Sequence, residues 1–249
     1  MRLLWSVWDT ERLSRELMQE LIPAFVIHRR DYRNSSLLLE LFLANQGRLP
    51  AIARGAKSGR SSRALLLQPF SPLALSLGGR GEVKSLTGVE PDGRPYRLQG
   101  ETIYCGIYLN ELLMRLLQRG DPYPALYVHY QHTLIRLASG ESAGQCLREF
   151  EISLMRELGY GLLLDRTADT NERIEADRVY EYRLEQGPVR VPGGGSGERI
   201  HGRTLLSLHR CERLDERSEL EAKRLMRRVI GYYLGDRPLK SRELFQSLK

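Results

Sequence analysis

AFVIHRRDYRNSSLLLELFLANQGRLPAIAR, residues 24–54, holds the reading that decides the fold. Three short apolar runs stand out: AFVIHR (24–29), SSLLLELFL (35–43) and RLPAIAR (48–54). Each ends in polar or charged residues, and Asn45-Gln46-Gly47 between the last two is a turn signal. Runs of this length separated by turns predict β-strands rather than helices. Pro50 inside the third run points to an edge position or a bulge, because proline cannot donate to a ladder. Downstream, Pro69 and Pro72 bracket the start of a fourth strand in ALLLQPFSPLALSL (64–77), GGRG (78–81) marks a turn, and EVKSLTGVE (82–90) gives a fifth. Five short strands in about 70 residues predict a small β-barrel. The five-stranded barrel that holds nucleic acid is the OB-fold, and the strand count suggests it without being specific.

Beyond PDGRP (91–95) the pattern turns helical. ETIYCGIYLNELLMRLLQRG (101–120), PALYVHYQHTLIRLASG (124–140) and AGQCLREFEISLMRELGYG (143–161) carry apolar residues at helical spacing and end at Gly120, Gly140 and Gly159. Short connections predict antiparallel neighbours. Residues 165–204 are polar, with YEYRLEQGPVRV (180–191) and GGGSG (193–197) reading as a two-stranded hairpin with a mobile tip. SELEAKRLMRRVIGYYLGDRP (218–238) is a basic helix stopped by Gly235 and Pro238. The predicted fold is α+β: an N-terminal extension over 1–22, read as a short amphipathic helix or an addition ahead of the fold; a barrel domain over 23–97; and a helical domain over 98–249 with a small β-hairpin insert at about 165–204.

The 249 residues carry a net charge of +7. Residues 1–100 hold 15 Lys/Arg against 9 Asp/Glu, residues 101–165 hold 5 against 8, and residues 166–249 hold 18 against 14. Basic ends around a mildly acidic middle suggest two surfaces with different partners, the basic ones suited to an anion. Cys105, Cys146 and Cys211 lie far apart and form no C-x-x-C pair, so neither a disulfide framework nor a cysteine zinc site is indicated, and a reducing cytoplasm fits best. No run of 18 apolar residues could span a bilayer. The start MRLLWSVWDTERLSRELMQELI lacks the long apolar core of a signal peptide. The close pair His129 and His132 has no Cys, Asp or Glu at ligand spacing, and packing explains it better than a metal. P-loop and nucleophile-elbow motifs are absent, and no enzyme signature survives.

ARGAKSGRSSR (53–63) places Arg54, Lys57, Arg60 and Arg63 at a three-residue pitch among Gly, Ala and Ser. That pitch drifts around a helix of 3.6 residues per turn. It suits an extended, mobile segment laying cations along a phosphate backbone, with small residues permitting close approach. Arg29, Arg30, Arg33, Arg48 and Lys84 fall in the neighbouring strand runs and extend the stripe. Tyr32, between Arg30 and Arg33, could stack on a base or pack in its turn. A merely solvated connector is the alternative for the loop.

PAFVIHRRDYRNSSLLLELF, GRLPAIARGAK, LQPFSPL and GGRGEVKSL, followed by YLNELLMRLL, LREFEISLMRELGYG and LGDRPLKSRELF, resemble in order the bacterial recombination mediator family RecO. The likeness runs from about residue 23 to 246 and therefore covers nearly the whole chain. It implies an OB-fold followed by a helical domain and a non-enzymatic role in DNA repair and recombination. It also implies binding of single- and double-stranded DNA, annealing of complementary strands, and work with RecR in loading RecA onto strands coated by single-stranded-DNA-binding protein. The C-terminal tail of that binding protein would be gripped by the helical domain, where Arg148 falls at the family's tail-binding arginine. For Arg148 itself, an i, i+3 pair with Glu151 or a solvated position is the plain alternative. Many members of the family carry four cysteines around zinc after the ELGYG helix. Here DRTADTNERIEADRVYEYRLEQ (165–186) has none. No zinc or other cofactor is therefore expected, and the lobe must hold by packing. Arg224, Arg227, Arg228, Lys240 and Arg242 would either widen the DNA surface or form a solvated face. A protein-only scaffold and a nucleic-acid-processing enzyme are the competing functions; an enzyme of that kind needs clustered carboxylates for metal ions, which the basic segments lack.

Overall fold

The computed structural model describes residues 21–57, 63–191 and 199–246. Residues 1–20 of the N-terminal extension lie outside the described residues, and Ile22 already opens the first strand; Arg60 and GGGSG (193–197) also lie outside them. Two compact units divide the chain. One combines the residues up to Pro95 with Gln118–Pro122; the other holds Tyr96–Leu117 and the chain from Tyr123 onward.

In the first unit β1 (Ile22–Tyr32), β2 (Ser36–Leu43), β3 (Gly47–Ala53), β4 (Leu73–Gly78) and β5 (Lys84–Pro91) close into a barrel of order β1-β2-β3-β5-β4. Every pairing is antiparallel except β3 with β5. This is an OB-like barrel. Its interior follows from two-residue alternation: Leu37, Leu39, Leu41 and Leu43 of β2 join Ala24, Val26, Ala51, Ala53, Leu73 and Leu75 in one core. Each buried leucine or valine contributes about 1.5–3 kcal/mol, so a one-residue slip that turned the row outward is strongly disfavoured. Pro50 fits because β3 meets β5 only at Ala51 and Ile52, leaving the proline nitrogen outside that ladder.

A bulge between Val26 and His28 resets β1, so Arg29 stands opposite Leu39 on the inner row. Its Nη1 donates to the carbonyls of Ala64 (3.0 Å) and Leu67 (3.2 Å), fixing the short helix α1 (Arg63–Leu66). The expectation of an extended segment running through Arg63 is corrected here. The chain turns helical at Arg63 because fully buried Leu67 anchors the following turn and Arg29 takes up its carbonyls.

Residues Gln118–Pro122 return to the barrel's outer side. Gly120 N–H donates to the Arg48 carbonyl at 3.0 Å, and Arg119 and Arg48 both donate to buried Glu40. Gly47, at φ 64°, is required by this approach: a Cβ there would sit 1.7 Å from the Asp121 carbonyl oxygen.

The second unit contains α2 (Glu101–Leu116), α3 (Pro124–Ala138), α4 (Ala143–Glu157), α5 (Gly202–Arg210), α6 (Glu216–Leu234) and α7 (Lys240–Gln246). The insert is more than the expected hairpin. β6 (Val179–Arg183) and β7 (Gly187–Arg190) are joined by β8 (Arg199–His201) in the order β7-β6-β8. Glu221 on α6 ties this sheet to the helices. Its carboxylate accepts from His201 N–H at 2.9 Å and the Thr204 hydroxyl at 2.7 Å, and meets His201 Nδ1 at 2.6 Å. Glu111 of α2 accepts from the N–H groups of Lys240 (2.9 Å) and Ser241 (2.8 Å) and so starts α7. Arg115, one turn on, donates to the carbonyls of Leu234, Arg237 and Pro238. These bonds fix the LGDRPLKS stretch. Among the described residues no helix is long and apolar enough to cross a membrane.

Candidate nucleic-acid interface

Strand register assembles the outer surface of the barrel. Arg30 faces Leu38, Leu38 faces Ile52 and Ile52 faces Ser85, a row across four strands. At roughly 4.8 Å per strand step the row is about 14 Å wide. Arg30 at its edge is exposed, and Leu38 and Ile52 are half-buried. One step along β1, Tyr32 stands opposite Ser36, and the Arg33 guanidinium lies over its ring at 5.4 Å. Arg33 sits in the β1–β2 turn at φ 52° and is exposed.

The turn after β3 lies beside the β1–β2 turn. Leu37 pairs with Ala53, and Lys57 N–H donates to the Ser35 carbonyl at 2.9 Å. Exposed Arg54 follows Ala53 directly. Three exposed guanidinium groups, Arg30, Arg33 and Arg54, are thus brought together from a strand and two turns. Cations grouped in this way are chemically suited to phosphates, contacts that carry no base identity.

The remaining cations singled out in the sequence are differently placed. Arg29 is committed to the α1 carbonyls. Arg48 is largely buried against Glu40; desolvation lowers its pKa, with Glu40 opposing and Arg119 adding to that shift. Lys57 is paired to Asp31 at 2.6 Å, and Lys84 donates to the Gly79 carbonyl at 3.3 Å. Arg63 is exposed at the first residue of α1. The Tyr32 ring already carries Arg33 on one face, which leaves at most the other for a base.

On the helical unit, Arg148 and Glu151 of α4 form the i, i+3 pair. Arg148 Nη2 donates to Glu151 Oε1 at 2.6 Å, and Nε lies 2.6 Å from Oε2 without hydrogen-bond alignment. The Tyr108 hydroxyl also donates to Oε1 at 2.6 Å. Burial, and then the Glu151 charge, push that hydroxyl well above the usual tyrosine range. Arg148 also lines a depression of about 190 Å³ between α4 and α6, together with Gly144, Glu216, Glu219, Leu220 and Lys223. Pairing with Glu151 and presentation to this depression coexist.

Sequence reasoning missed Glu40, Glu111 and Glu221, the three carboxylates that organise these surfaces. Each sits in a run that reads as strand or helix, and the deciding partners, Arg119 for Glu40, Lys240 for Glu111 and Thr204 for Glu221, lie far along the chain. Burial inside a patterned run was the one available signal.

An OB-like barrel with an exposed arginine group, followed by a helical unit carrying a small sheet, defines the class. Comparison with known proteins narrows it. The family model for the recombination protein O N terminal matches residues 18–92, and that for the recombination protein O C terminal matches residues 97–243. The chain belongs to the recombination protein O (RecO) family. It is 50% identical over 225 residues to the DNA repair protein RecO of Methylococcus capsulatus, covering 90% of this chain and 92% of that protein. It is 48% identical over 229 residues to that of Alkalilimnicola ehrlichii (91% and 90%) and 46% identical over 228 residues to that of Nitrosococcus oceani (91% and 93%).

Proposed function

We propose that this chain acts in DNA repair as a non-catalytic recombination mediator of the RecF pathway, in the cytoplasm at the nucleoid. The barrel holds single- and double-stranded DNA by the sugar-phosphate chain. Annealing follows from the same chemistry: cations offset the repulsion of two anionic strands, and unoccupied base edges stay free to pair. With RecR as partner, the bound complex assists loading of RecA onto DNA coated by single-stranded-DNA-binding protein. Membership of the RecO family supports this reading. The single structural observation that carries it is the convergence of exposed Arg30, Arg33 and Arg54.

In the same proposal Arg148 receives the tail of the single-stranded-DNA-binding protein. Glu151 occupies the Nε and Nη2 side, so a terminal carboxylate meets the Nη1 side, while Leu220 offers an apolar wall and Lys223 a second cation. Glu216 and Glu219 line the same depression, so the tail's acidic residues must run away from them.

The test is binding and annealing of oligonucleotides by the whole protein at low salt. Affinity regardless of base sequence, with acceleration of complementary-strand annealing, is expected. No affinity even in dilute buffer would leave the protein-only scaffold standing, and magnesium-dependent cleavage would favour an enzyme. Arg148→Ala should lower affinity for a tail peptide while leaving oligonucleotide binding unchanged.

A further inference from the structure

Three tyrosines gather in the second unit where the chain after α4 meets the last turn of α6. Tyr160 and Tyr233 are stacked, with ring centroids 4.2 Å apart and planes at 26°. Tyr232 stands edge-on to Tyr233 at 5.2 Å and 88°. Tyr160 and Tyr232 remain 49% and 52% exposed, unusual openness for rings already in an aromatic cluster. The Tyr232 hydroxyl is held by Glu185 at 2.9 Å, which fixes the ring without covering it.

A line of positive charge runs up to this cluster. From Ala222 to Leu234, α6 carries Lys223, Arg224, Arg227 and Arg228 and no acidic residue. Arg224, Arg228 and Tyr232 follow one another at four-residue spacing and share a ridge about 12 Å long. Arg224 and Arg227 are exposed; Arg228 is half-buried and donates to the Tyr182 carbonyl at 3.1 Å. Gly231 lies between the cations and the rings. Glycine inside a helix costs about 0.5–1 kcal/mol relative to alanine. Here nothing inside the molecule calls for it, since a Cβ at Gly231 would meet no atom within 4 Å. An open helix surface kept bare between cations and exposed rings is what a close-lying ligand needs.

We propose that the C-terminal half of α6, with Tyr160 and Tyr232, forms a second site for single-stranded DNA. Arg224 and Arg227 meet phosphates, the sugar-phosphate chain crosses at Gly231, and a base stacks on the exposed tyrosine rings. Base–aromatic stacking tolerates any sequence, because every base has a π-face. The site is built from the second unit alone and rests on the reading that the protein handles DNA. Two separate strand sites on one molecule also match an annealing activity better than one.

The test uses the full chain and an oligothymidylate bearing 5-iododeoxyuridine, irradiated and mapped by mass spectrometry. Adducts on Tyr160 or Tyr232 are expected. They should persist in an Arg30→Ala, Arg33→Ala, Arg54→Ala variant, so failure of the barrel reading and failure of this one are told apart. Gly231→Gln fills the bare surface with an uncharged, helix-compatible side chain. It should leave the melting temperature unchanged or raised while cutting the adduct yield about tenfold, in line with the worth of one stacked base. Tyr232→Phe should retain the adduct at Tyr160 and oligonucleotide binding; Tyr232→Ala should weaken binding. Adducts confined to the barrel, or a Gly231→Gln protein that crosslinks like the unaltered chain, overturn the proposal. Capture of a protein partner by this surface without any tyrosine adduct overturns it too.

Discussion

The division of the barrel's cations into exposed and committed groups gives a quantitative prediction. Each phosphate contact on a single strand contributes about −0.7 to the slope of log affinity against log salt. If all nine cations picked out in the sequence acted alike, the slope would be about −6. Arg30, Arg33 and Arg54 account for only about −2 of that. Replacing the three with alanine should therefore flatten the slope by about 2. Between 50 and 200 mM salt, the loss of affinity attributable to them, about twentyfold, should disappear. Fluorescence anisotropy of a labelled oligonucleotide across a salt series measures this directly. Arg29→Ala and Arg48→Ala serve as the contrasting pair. Arg29 fixes α1 and Arg48 shares Glu40 with Arg119, so their loss should appear in denaturant melts with little change in slope. A triple variant with the native slope, or an Arg29→Ala protein that keeps its stability and loses the slope, would refute the partition.

Gly47→Ala forces both a positive φ and a clash with the Asp121 carbonyl. It should destabilise the protein by about 2 kcal/mol or more in denaturant melts, well beyond an ordinary surface change. Glu151→Gln weakens the hold on Arg148 and leaves its charge buried; about 3 kcal/mol of stability should be lost, and Arg148→Met added to it should restore part of that loss. At Glu221 desolvation favours the neutral acid, but hydrogen bonds from His201 and Thr204 outweigh it and hold the pKa below the ordinary 4.5. The folded value is the lower one, so this stabilisation is complete above pH 4.5 and is lost as the pH falls through the folded value. Melting at stepped pH should show an acid-side decline that Glu221→Gln reduces.

Much of the barrel was legible. β1, β2 and β3 announce themselves through apolar runs, and Pro50 sits where a parallel ladder has not yet begun. Helix α1 was hidden because four residues give no periodicity, and what stabilises it is Arg29, more than 30 positions upstream. The third strand of the small sheet, β8, was concealed behind a glycine-rich stretch that reads as an ending. The cations of the candidate surface could be picked out along the chain, but their sorting into exposed and paired groups could not. Nothing along the chain says that the Arg48 side chain pairs with Glu40 on the neighbouring strand while Arg54 stays exposed. Nor does spacing reveal that Tyr160 lies on Tyr233, since their contact spans more than 70 residues.

Because Gln118–Pro122 packs on the outer side of β2 and β3, the barrel is not finished when β5 has been synthesised. A nascent chain must deliver some 30 more residues, including all of α2, before Glu40 acquires Arg119 and the Arg48 carbonyl accepts from the Gly120 N–H. A fragment cut at the obvious sequence boundary near residue 97 would therefore expose a charged carboxylate seam, and recombinant versions of the barrel need residues through 122 supplied, even as a separate peptide.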